Sequence, residues 1–188
     1  MRVIIVGFVG KMGSGKTLSC VREIHKYYLR GYKVMSNFHL NFPHTLINFE
    51  ELYMMAEQQT EMNNVVIALD EVHILLDSRS GMGNTNKVMT FWLNQTRKMG
   101  VKLFYTTQYE HQVDKRLRSG TDIIIFCEGL HVMKGGVDYF VCHNEMVIGD
   151  EFRREIFLGN DYFPLYDTKE VVKFINRKDL KKKDGVAA

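Results

Sequence analysis

The feature that most constrains this chain is a glycine-rich segment that directly follows a short apolar run. Residues 10–17 read Gly-Lys-Met-Gly-Ser-Gly-Lys-Thr and match G-x-x-x-x-G-K-[ST], while residues 3–9 are apolar apart from one glycine. Between a strand and a helix, such a motif turns backbone N–H groups toward a polyphosphate at the positive end of the helix. The sequence therefore predicts a phosphate-binding loop and a bound nucleoside triphosphate.

Within this motif, two side chains have chemical roles. Lys16 is expected to reach the β- and γ-phosphates, and the Thr17 hydroxyl is expected to bind Mg²⁺. The predicted nucleotide-binding residues are the loop and the residue after it: Gly10, Lys11, Met12, Gly13, Ser14, Gly15, Lys16, Thr17 and Leu18.

Length and composition favour a single domain. The chain has 188 residues, of which 45% are hydrophobic, so it can bury a substantial core. We predict one domain over residues 1–177, with a core at 3–128, a β-rich extension at 129–177 and a basic tail at 178–188. The sequence has neither the roughly 20 uninterrupted apolar residues of a membrane span nor a signal-peptide pattern. We therefore expect a soluble, intracellular protein.

Net charge and cysteine content give no sign of an extended nucleic-acid surface, a disulfide framework or a zinc site. A formal charge of +3 is too small to indicate a nucleic-acid surface, so DNA contacts must come from local patches such as residues 177–183. The three cysteines are odd in number and irregularly spaced, which favours free thiols. Cys127, His131, Cys142 and His143 form no usual zinc pattern, so we interpret them as packing residues.

The order of predicted elements indicates the fold class. Strand-like runs alternate with helix-like stretches, which is typical of an α/β fold with a mostly parallel sheet covered by helices on both faces. The Gly135-Gly136 pair predicts a β-hairpin turn in a C-terminal extension. The predicted strands are 3–9, 33–36, 65–69, 101–106 and 123–127, the predicted helices are 16–29, 49–61 and 88–99, and the predicted hairpin is 130–148.

Two polar sites follow predicted strands. Asp70 and Glu71 end the apolar run 65–69, where an Asp holds Mg²⁺ and a following Glu is placed to polarise water. Gln108 follows the strand 101–106, and strand ends in a parallel sheet meet at one edge. We therefore expect Gln108 to lie near the γ-phosphate. An acidic first turn of a helix is the simpler alternative for the two acids.

These residues resemble the FtsK–HerA superfamily of ring-forming, DNA-pumping P-loop ATPases, whose core is RecA-like. They are most similar to viral genome-packaging ATPases and to the ATPase domain of zonular occludens toxin-like phage assembly proteins. The resemblance covers about residues 3–128, and four segments carry it: 10–17, Leu-Asp-Glu-Val-His at 69–73, Gln-Thr-Arg-Lys-Met-Gly-Val at 95–101 and Thr-Thr-Gln at 106–108.

The resemblance implies roles for individual residues. Lys16 and Thr17 would bind phosphate and metal, Asp70 would support Mg²⁺, and Glu71 would activate water. Gln108 would sense the γ-phosphate. The resemblance also makes Arg97 the arginine that such rings insert into the neighbouring subunit's site; Arg116 and Arg118 are rival candidates. A cation near a helix C-terminus is favoured in a monomer as well, so Arg97 has a simpler interpretation too.

Three function classes follow. The first is a Mg²⁺-dependent ATPase, a homo-oligomeric ring of five or six subunits that moves double-stranded DNA into a viral capsid. Its partners would include capsid vertex proteins, and segments 78–86 and 133–136 would face the pore. It would act in the host cytoplasm or with the virion. The second is a zonular occludens toxin-like assembly or export ATPase, although such proteins usually carry a membrane span that this chain lacks. The third is a small-molecule kinase, which the second carboxylate and the missing arginine-rich lid disfavour.

Overall fold

The structure is a computed structural model, and it describes residues 5–58, 62–72, 93, 96, 98 and 100–168. The described part contains eight strands and three α-helices with defined bounds, and residues 93, 96 and 98 are also helical. The strands are β1 (Ile5–Val9), β2 (Lys33–Ser36), β3 (Thr45–Leu46), β4 (Val65–Leu69), β5 (Lys102–Thr107), β6 (Ile123–Lys134), β7 (Val137–Ile148) and β8 (Glu151–Leu158). The helices are α1 (Lys16–Tyr28), α2 (Phe49–Glu57) and α3 (Lys115–Gly120).

All eight strands belong to one sheet. Their order is β3-β2-β4-β5-β1-β6-β7-β8; the pairs from β3 to β6 are parallel, and β7 and β8 join antiparallel. The α/β fold class with a mostly parallel sheet is thus confirmed. Because β5 lies between β1 and β4, the strand that precedes the phosphate loop and the strand that precedes Asp70 are separated by the strand that leads to Gln108.

The central strands are buried on both faces, as a parallel sheet requires. Every residue of β1, β4 and β5 is buried. On one face α1 covers the sheet with a stripe that includes Val21 and Ile24. On the other face Leu52 of α2 and Leu117 of α3 pack against the same strands. The two hydrophobic layers hold the carboxyl ends of the strands at one edge.

Helix boundaries follow from local sequence. Gly15 adopts a left-handed conformation with φ of 80° directly before α1, which glycine tolerates without a Cβ clash. Asn48 and Glu51 cap α2 reciprocally: the Asn48 side chain accepts from the Glu51 N–H at 2.9 Å, and the Glu51 carboxylate accepts from the Asn48 N–H at 2.9 Å. Asp114 caps α3 by accepting from the Arg116 N–H at 2.8 Å.

The C-terminal extension differs from the prediction in its extent. The hairpin turn is confirmed, since Gly135 and Gly136 have φ of 60° and 78°. However, β6 continues seven residues past the predicted end at Cys127, and β8 was not predicted as a separate strand. The predicted helix 88–99, except for residues 93, 96 and 98, the segment 78–86 and the basic tail lie outside the described residues. No helix among those described is both long enough and apolar enough to cross a bilayer.

Candidate active site

The phosphate loop lies between β1 and α1, as predicted. Gly13 has φ of 77°, so the loop uses backbone conformations that favour glycine. The Gly10 N–H donates to the Thr107 carbonyl at 3.2 Å, which ties the start of the loop to the end of β5. The buried Ser14 Oγ has no hydrogen-bond partner among the described residues. A buried hydroxyl without a partner is costly, so the loop is suited to a polar ligand.

Lys16 points to the acids that follow β4. Its Nζ lies 3.0 Å from Glu71 Oε1, and the exposed fractions of the two side chains are 7% and 19%. A buried ammonium group needs a compensating charge, and here Glu71 supplies it. A triphosphate bound at the loop would offer Lys16 a competing and more highly charged partner.

Asp70 lies at the centre of a hydroxyl network. Its Oδ1 accepts from Thr17 Oγ1 at 2.9 Å and from Thr106 Oγ1 at 2.6 Å. Burial raises the pKa of the Asp70 carboxyl, and the hydrogen bonds from Thr106 and Thr17 oppose that increase in pKa. The structure therefore brings together Thr17 and Asp70, the two predicted metal ligands.

Two residues hold the acidic pair from the neighbouring strands, and sequence reasoning gave neither of them a role. Asn37, after β2, donates from Nδ2 to the Asp70 carbonyl at 3.0 Å and accepts from the Asp70 N–H at 2.7 Å. Thr106, in β5, accepts from the Glu71 N–H at 2.8 Å. The available signal was positional, because both lie where strands beside β4 reach the same edge of the sheet.

Glu71 itself has a strained backbone. Its φ of 50° is in the left-handed region, which typically costs a residue with a side chain on the order of 1–3 kcal/mol. The hydrogen bonds from Asn37 to Asp70 and from the Glu71 N–H to Thr106 fix the two peptides that lead into this conformation. The surrounding strands therefore determine where the Glu71 carboxylate lies.

The remaining predicted residues differ in how far the structure describes them. Gln108 directly follows β5, is partly buried and lies at the same edge as the loop and the acids. Arg97 lies outside the described residues. Arg116 is exposed and Arg118 is partly buried, both in α3.

The C-terminal extension packs directly against the phosphate loop. A Cβ atom on Gly15 would lie 3.0 Å from the Phe140 ring and 3.2 Å from Cys142 Sγ, so a side chain there would require these two residues of β7 to shift. Asn144 and Ser19 exchange buried hydrogen bonds of 3.1 and 3.3 Å between β7 and α1. The extension therefore forms one wall of the loop.

Arg22 connects the helix after the loop to the edge strand. Its two terminal nitrogens each lie 2.7 Å from a carboxylate oxygen of Glu155, and its guanidinium lies 4.2 Å from the Phe157 ring centroid. The Arg22 side chain is 12% exposed. A bidentate, stacked pair of this kind is geometrically specific.

The cysteines are thiols, as predicted. Cys20, Cys127 and Cys142 are free and buried, and burial raises the pKa of Cys127 to about 12 and that of Cys142 to about 11. No group of three His, Cys, Asp or Glu side chains within the described part is placed to hold a metal ion. Cys127 and Cys142 are buried, as packing residues are, whereas His131 is exposed and lies 3.0 Å from Asp138, so the packing interpretation is wrong for His131.

Comparison with known sequences identifies a family and distant phage relatives. The family described as "ATPase family associated with various cellular activities (AAA)" matches residues 6–128. The Gene 1 protein of Enterobacteria phage I2-2 is 23% identical and that of Salmonella phage IKe is 22% identical, each alignment covering 91% of this chain and 57% of the relative. The chain thus spans little more than half the length of these relatives.

Comparison with solved structures supports the fold. The N-terminal domain of zonular occludens toxin from Neisseria meningitidis has a TM-score of 0.62 at 21% identity, covering 89% of this chain and 100% of that domain. The genome packaging NTPase B204 of Sulfolobus turreted icosahedral virus 2, in complex with ATP-gammaS, has a TM-score of 0.56 at 14% identity, covering 81% and 96%. The first alignment covers more than residues 6–128, so the shared fold reaches into the extension.

Proposed function

The chain belongs to the ATPase family associated with various cellular activities, and from this premise we propose that it is the Mg²⁺-dependent ATPase motor of a phage assembly machine. The observation that carries the proposal is a pair of contacts at one edge of the sheet. Lys16 forms an ion pair with Glu71, and Thr17 donates a hydrogen bond to Asp70. This arrangement combines a phosphate-binding cation, a metal-binding oxygen pair and a second carboxylate for water. A kinase needs the first two but not the third.

The residues present fit a magnesium ion. Thr17 and Asp70 offer hard oxygen donors, and Mg²⁺ is typically bound by one or two carboxylates together with substrate phosphates and water. When bound, the ion would neutralise charge on the β- and γ-phosphates.

In the proposed reaction, the bound triphosphate replaces Glu71 as the ion-pair partner of Lys16. The freed Glu71 carboxylate accepts a proton from water as the water oxygen bonds to the γ-phosphorus and the bond to the β–γ bridging oxygen breaks. Gln108 is proposed to orient the water or the γ-phosphate. Asn37 and Thr106 keep Glu71 in position for this transfer.

We propose that the motor works as a ring on phage DNA. A neighbouring subunit's Arg97 would stabilise charge on the transferring phosphoryl group, a contribution worth on the order of 10³-fold in rate or more. Arg116 and Arg118 remain the rival candidates for this role. The division of the chain into a core at 3–128 and an extension at 129–177 is part of the same proposal, with the extension serving as a wall of the site.

We rank an assembly or export role above packaging into a preformed capsid, because the alignments with the phage proteins and the zonular occludens toxin domain cover more of this chain than the alignment with the packaging NTPase. Alignment with two phage Gene 1 proteins covers nearly the whole chain, and the zonular occludens toxin domain is matched over its full length. The packaging ATPase is the second candidate, supported by the fold shared with a genome packaging NTPase bound to ATP-gammaS.

The test is ATP hydrolysis by the purified protein with Mg²⁺, in the presence of duplex DNA, single-stranded DNA or neither. The expected result is that DNA stimulates turnover and that specific activity rises with protein concentration. A small-molecule kinase would show the same ATP turnover with and without DNA. Mixing Arg97→Ala with Glu71→Gln subunits should restore part of the activity, because some interfaces then pair an intact Glu71 with an intact Arg97. If specific activity stays constant over a hundredfold dilution and mixing restores no activity, the proposed ring is refuted.

A further inference from the structure

The turn after β5 carries an exposed pair of stacked rings that the proposed hydrolysis does not use. The Tyr109 and His111 ring centroids are 5.4 Å apart, with an interplanar angle of 26°. Tyr109 is 44% exposed, and His111 is also exposed. The turn follows Gln108, so the pair lies at the edge of the sheet that holds the phosphate loop. Aromatic faces left open to water in this way provide a surface on which a planar group can stack.

Local hydrogen bonds fix the position of this pair. The Tyr109 carbonyl accepts from Thr107 Oγ1 at 3.2 Å and from the Gln112 N–H at 3.1 Å. The next helix, α3, begins with Lys115, which is exposed. The segment also contains two acids, Glu110 and Asp114, so its charge is mixed. Ligand recognition at this turn must therefore rely on stacking as well as on charge.

We propose that Tyr109, His111 and Lys115 form a binding site for an unpaired DNA strand, an inference that rests on the proposed function as a DNA motor. Each unpaired base exposes a π face that stacks on aromatic side chains regardless of sequence, whereas a duplex hides those faces within its own stack. Lys115 would contact a backbone phosphate. An exposed aromatic pair, followed four residues later by an exposed cation, matches the requirements of a single strand better than those of a duplex.

The site is physically connected to the phosphate loop. The Gly10 N–H donates to the Thr107 carbonyl, and the Thr107 hydroxyl donates to the Tyr109 carbonyl. Both bonds are made by Thr107, and Gln108 lies between Thr107 and Tyr109 in the chain. If the loop moves on nucleotide binding, Thr107 can transmit that movement to Tyr109. ATP binding could then change the affinity of this site for DNA.

The experiment measures binding of a fluorescently labelled oligothymidylate and of a duplex of equal length by anisotropy, over a series of salt concentrations. Wild-type protein should bind the single strand more tightly than the duplex. Tyr109→Ala should weaken single-strand binding about tenfold, whereas Tyr109→Phe, which keeps the ring, should stay within about twofold of wild type. Lys115→Gln should reduce the slope of log K against log salt by about 0.7.

A matched control tests whether any exposed ring has this effect. Phe152 in β8 is 77% exposed and lies on the extension, away from the turn after β5. Phe152→Ala should leave both single-strand affinity and basal ATP turnover unchanged. Equal losses for Phe152→Ala and Tyr109→Ala would overturn the proposal.

The outcomes separate this inference from the proposed function. If DNA stimulates ATP turnover while Tyr109→Ala and Lys115→Gln bind single strands as wild type does, the binding site is wrong and the motor stands. If the wild type prefers duplex and Tyr109→Ala has no effect, the single-strand proposal is likewise overturned. If the wild type neither binds DNA nor responds to it, both the site and the DNA motor are refuted.

Discussion

Replacing Thr106 by valine should impair hydrolysis much more than it impairs nucleotide binding. Thr106 is fully buried; its hydroxyl donates to Asp70 at 2.6 Å and accepts from the Glu71 N–H at 2.8 Å. Valine keeps the shape and removes both bonds. A hydrogen bond to a charged group contributes about 1.5–3 kcal/mol, and an N–H left without its partner costs about 1–3 kcal/mol. We expect the free energy of unfolding to fall by about 3 kcal/mol.

The catalytic effect follows from the loss of positioning. Without the Thr106 oxygen, the strained Glu71 backbone loses one of its two anchors, and a displacement of about 1 Å can cost on the order of 10²-fold in rate. The ATP dissociation constant should change less than about threefold, because Lys16 and the phosphate loop are untouched. The Thr106 hydroxyl also lowers the pKa of Asp70, so its loss should move the acidic limb of the kcat profile to higher pH.

The assay is kcat and ATP affinity as a function of pH, together with urea unfolding. Thr106→Ser keeps the hydroxyl and should retain most activity. Ser36→Ala is the matched control, because Ser36 is equally buried in β2, on the other side of β4, but donates to the Phe38 carbonyl at 2.6 Å. That variant should lose about 1 kcal/mol of stability and keep its kcat. An unchanged kcat in Thr106→Val, or equal loss in Thr106→Ser, would refute the positioning role.

Three further predictions concern charged groups. Lys16→Ala should abolish ATP binding, whereas Glu71→Gln should bind ATP and fail to hydrolyse it; undiminished turnover in the latter would rule out Glu71 as the base. Burial raises the pKa of Asp70, so the metal-free protein should lose stability as pH rises from about 4 through that raised pKa. Asp70→Asn should lack this loss in urea unfolding with chelator and should need more Mg²⁺ for activity. Arg22 lowers the pKa of Glu155, a stabilisation that is complete above about pH 4.3 and is lost as pH falls through the lowered value. Glu155→Gln should therefore be about 0.5–1 kcal/mol less stable at pH 7 than the wild type. Its free energy of unfolding, measured with urea, should also fall less steeply as the pH drops below about 4.3.

The parallel core was predictable because its signals are local and strong. The runs before Gly10 and Asp70 are apolar and β-branched, as strands buried on both faces must be, and the structure places all of β1 and β4 in the core. The left-handed Gly15 and the break at Gly31 set the limits of α1 closely. The juxtaposition of Thr17 with Asp70 followed from the rule that parallel strands end at one edge.

The extension was less predictable because its residues satisfy long-range contacts. β8 contains four charged residues among eight, and its apolar alternation is weak. Arg22 of α1 neutralises Glu155, a partner 133 positions away in the chain. Gly129 interrupts the apolar run of β6, yet a Cβ there would meet the Phe140 ring, so the glycine makes room for the neighbouring strand. Contacts of this kind form only between residues far apart in the chain, so the local sequence does not predict them.

Asn37 shows a different limit of sequence reasoning. It lies in a polar connection and carries no motif, so its residue type indicates only a turn or a cap. In the structure, its amide makes both hydrogen bonds that another strand residue would make to Asp70. The side chain thus extends the pairing of β2 with β4 by one residue, to the point where the backbone must turn for Glu71.

The antiparallel strands of the extension determine how freely the phosphate loop can move. Phe140 fills the space over Gly15, and behind it Gly159 approaches so closely that a Cβ there would lie 2.7 Å from both the Phe140 ring and Leu18. Close-packed groups of this kind transmit a displacement instead of absorbing it, because no void is available to take it up. A shift of Gly15 toward a bound phosphate must therefore either move Phe140 or open a gap beside it. Since Phe140 belongs to β7, which pairs with both β6 and β8, a movement of this ring couples the nucleotide site to the extension as a whole.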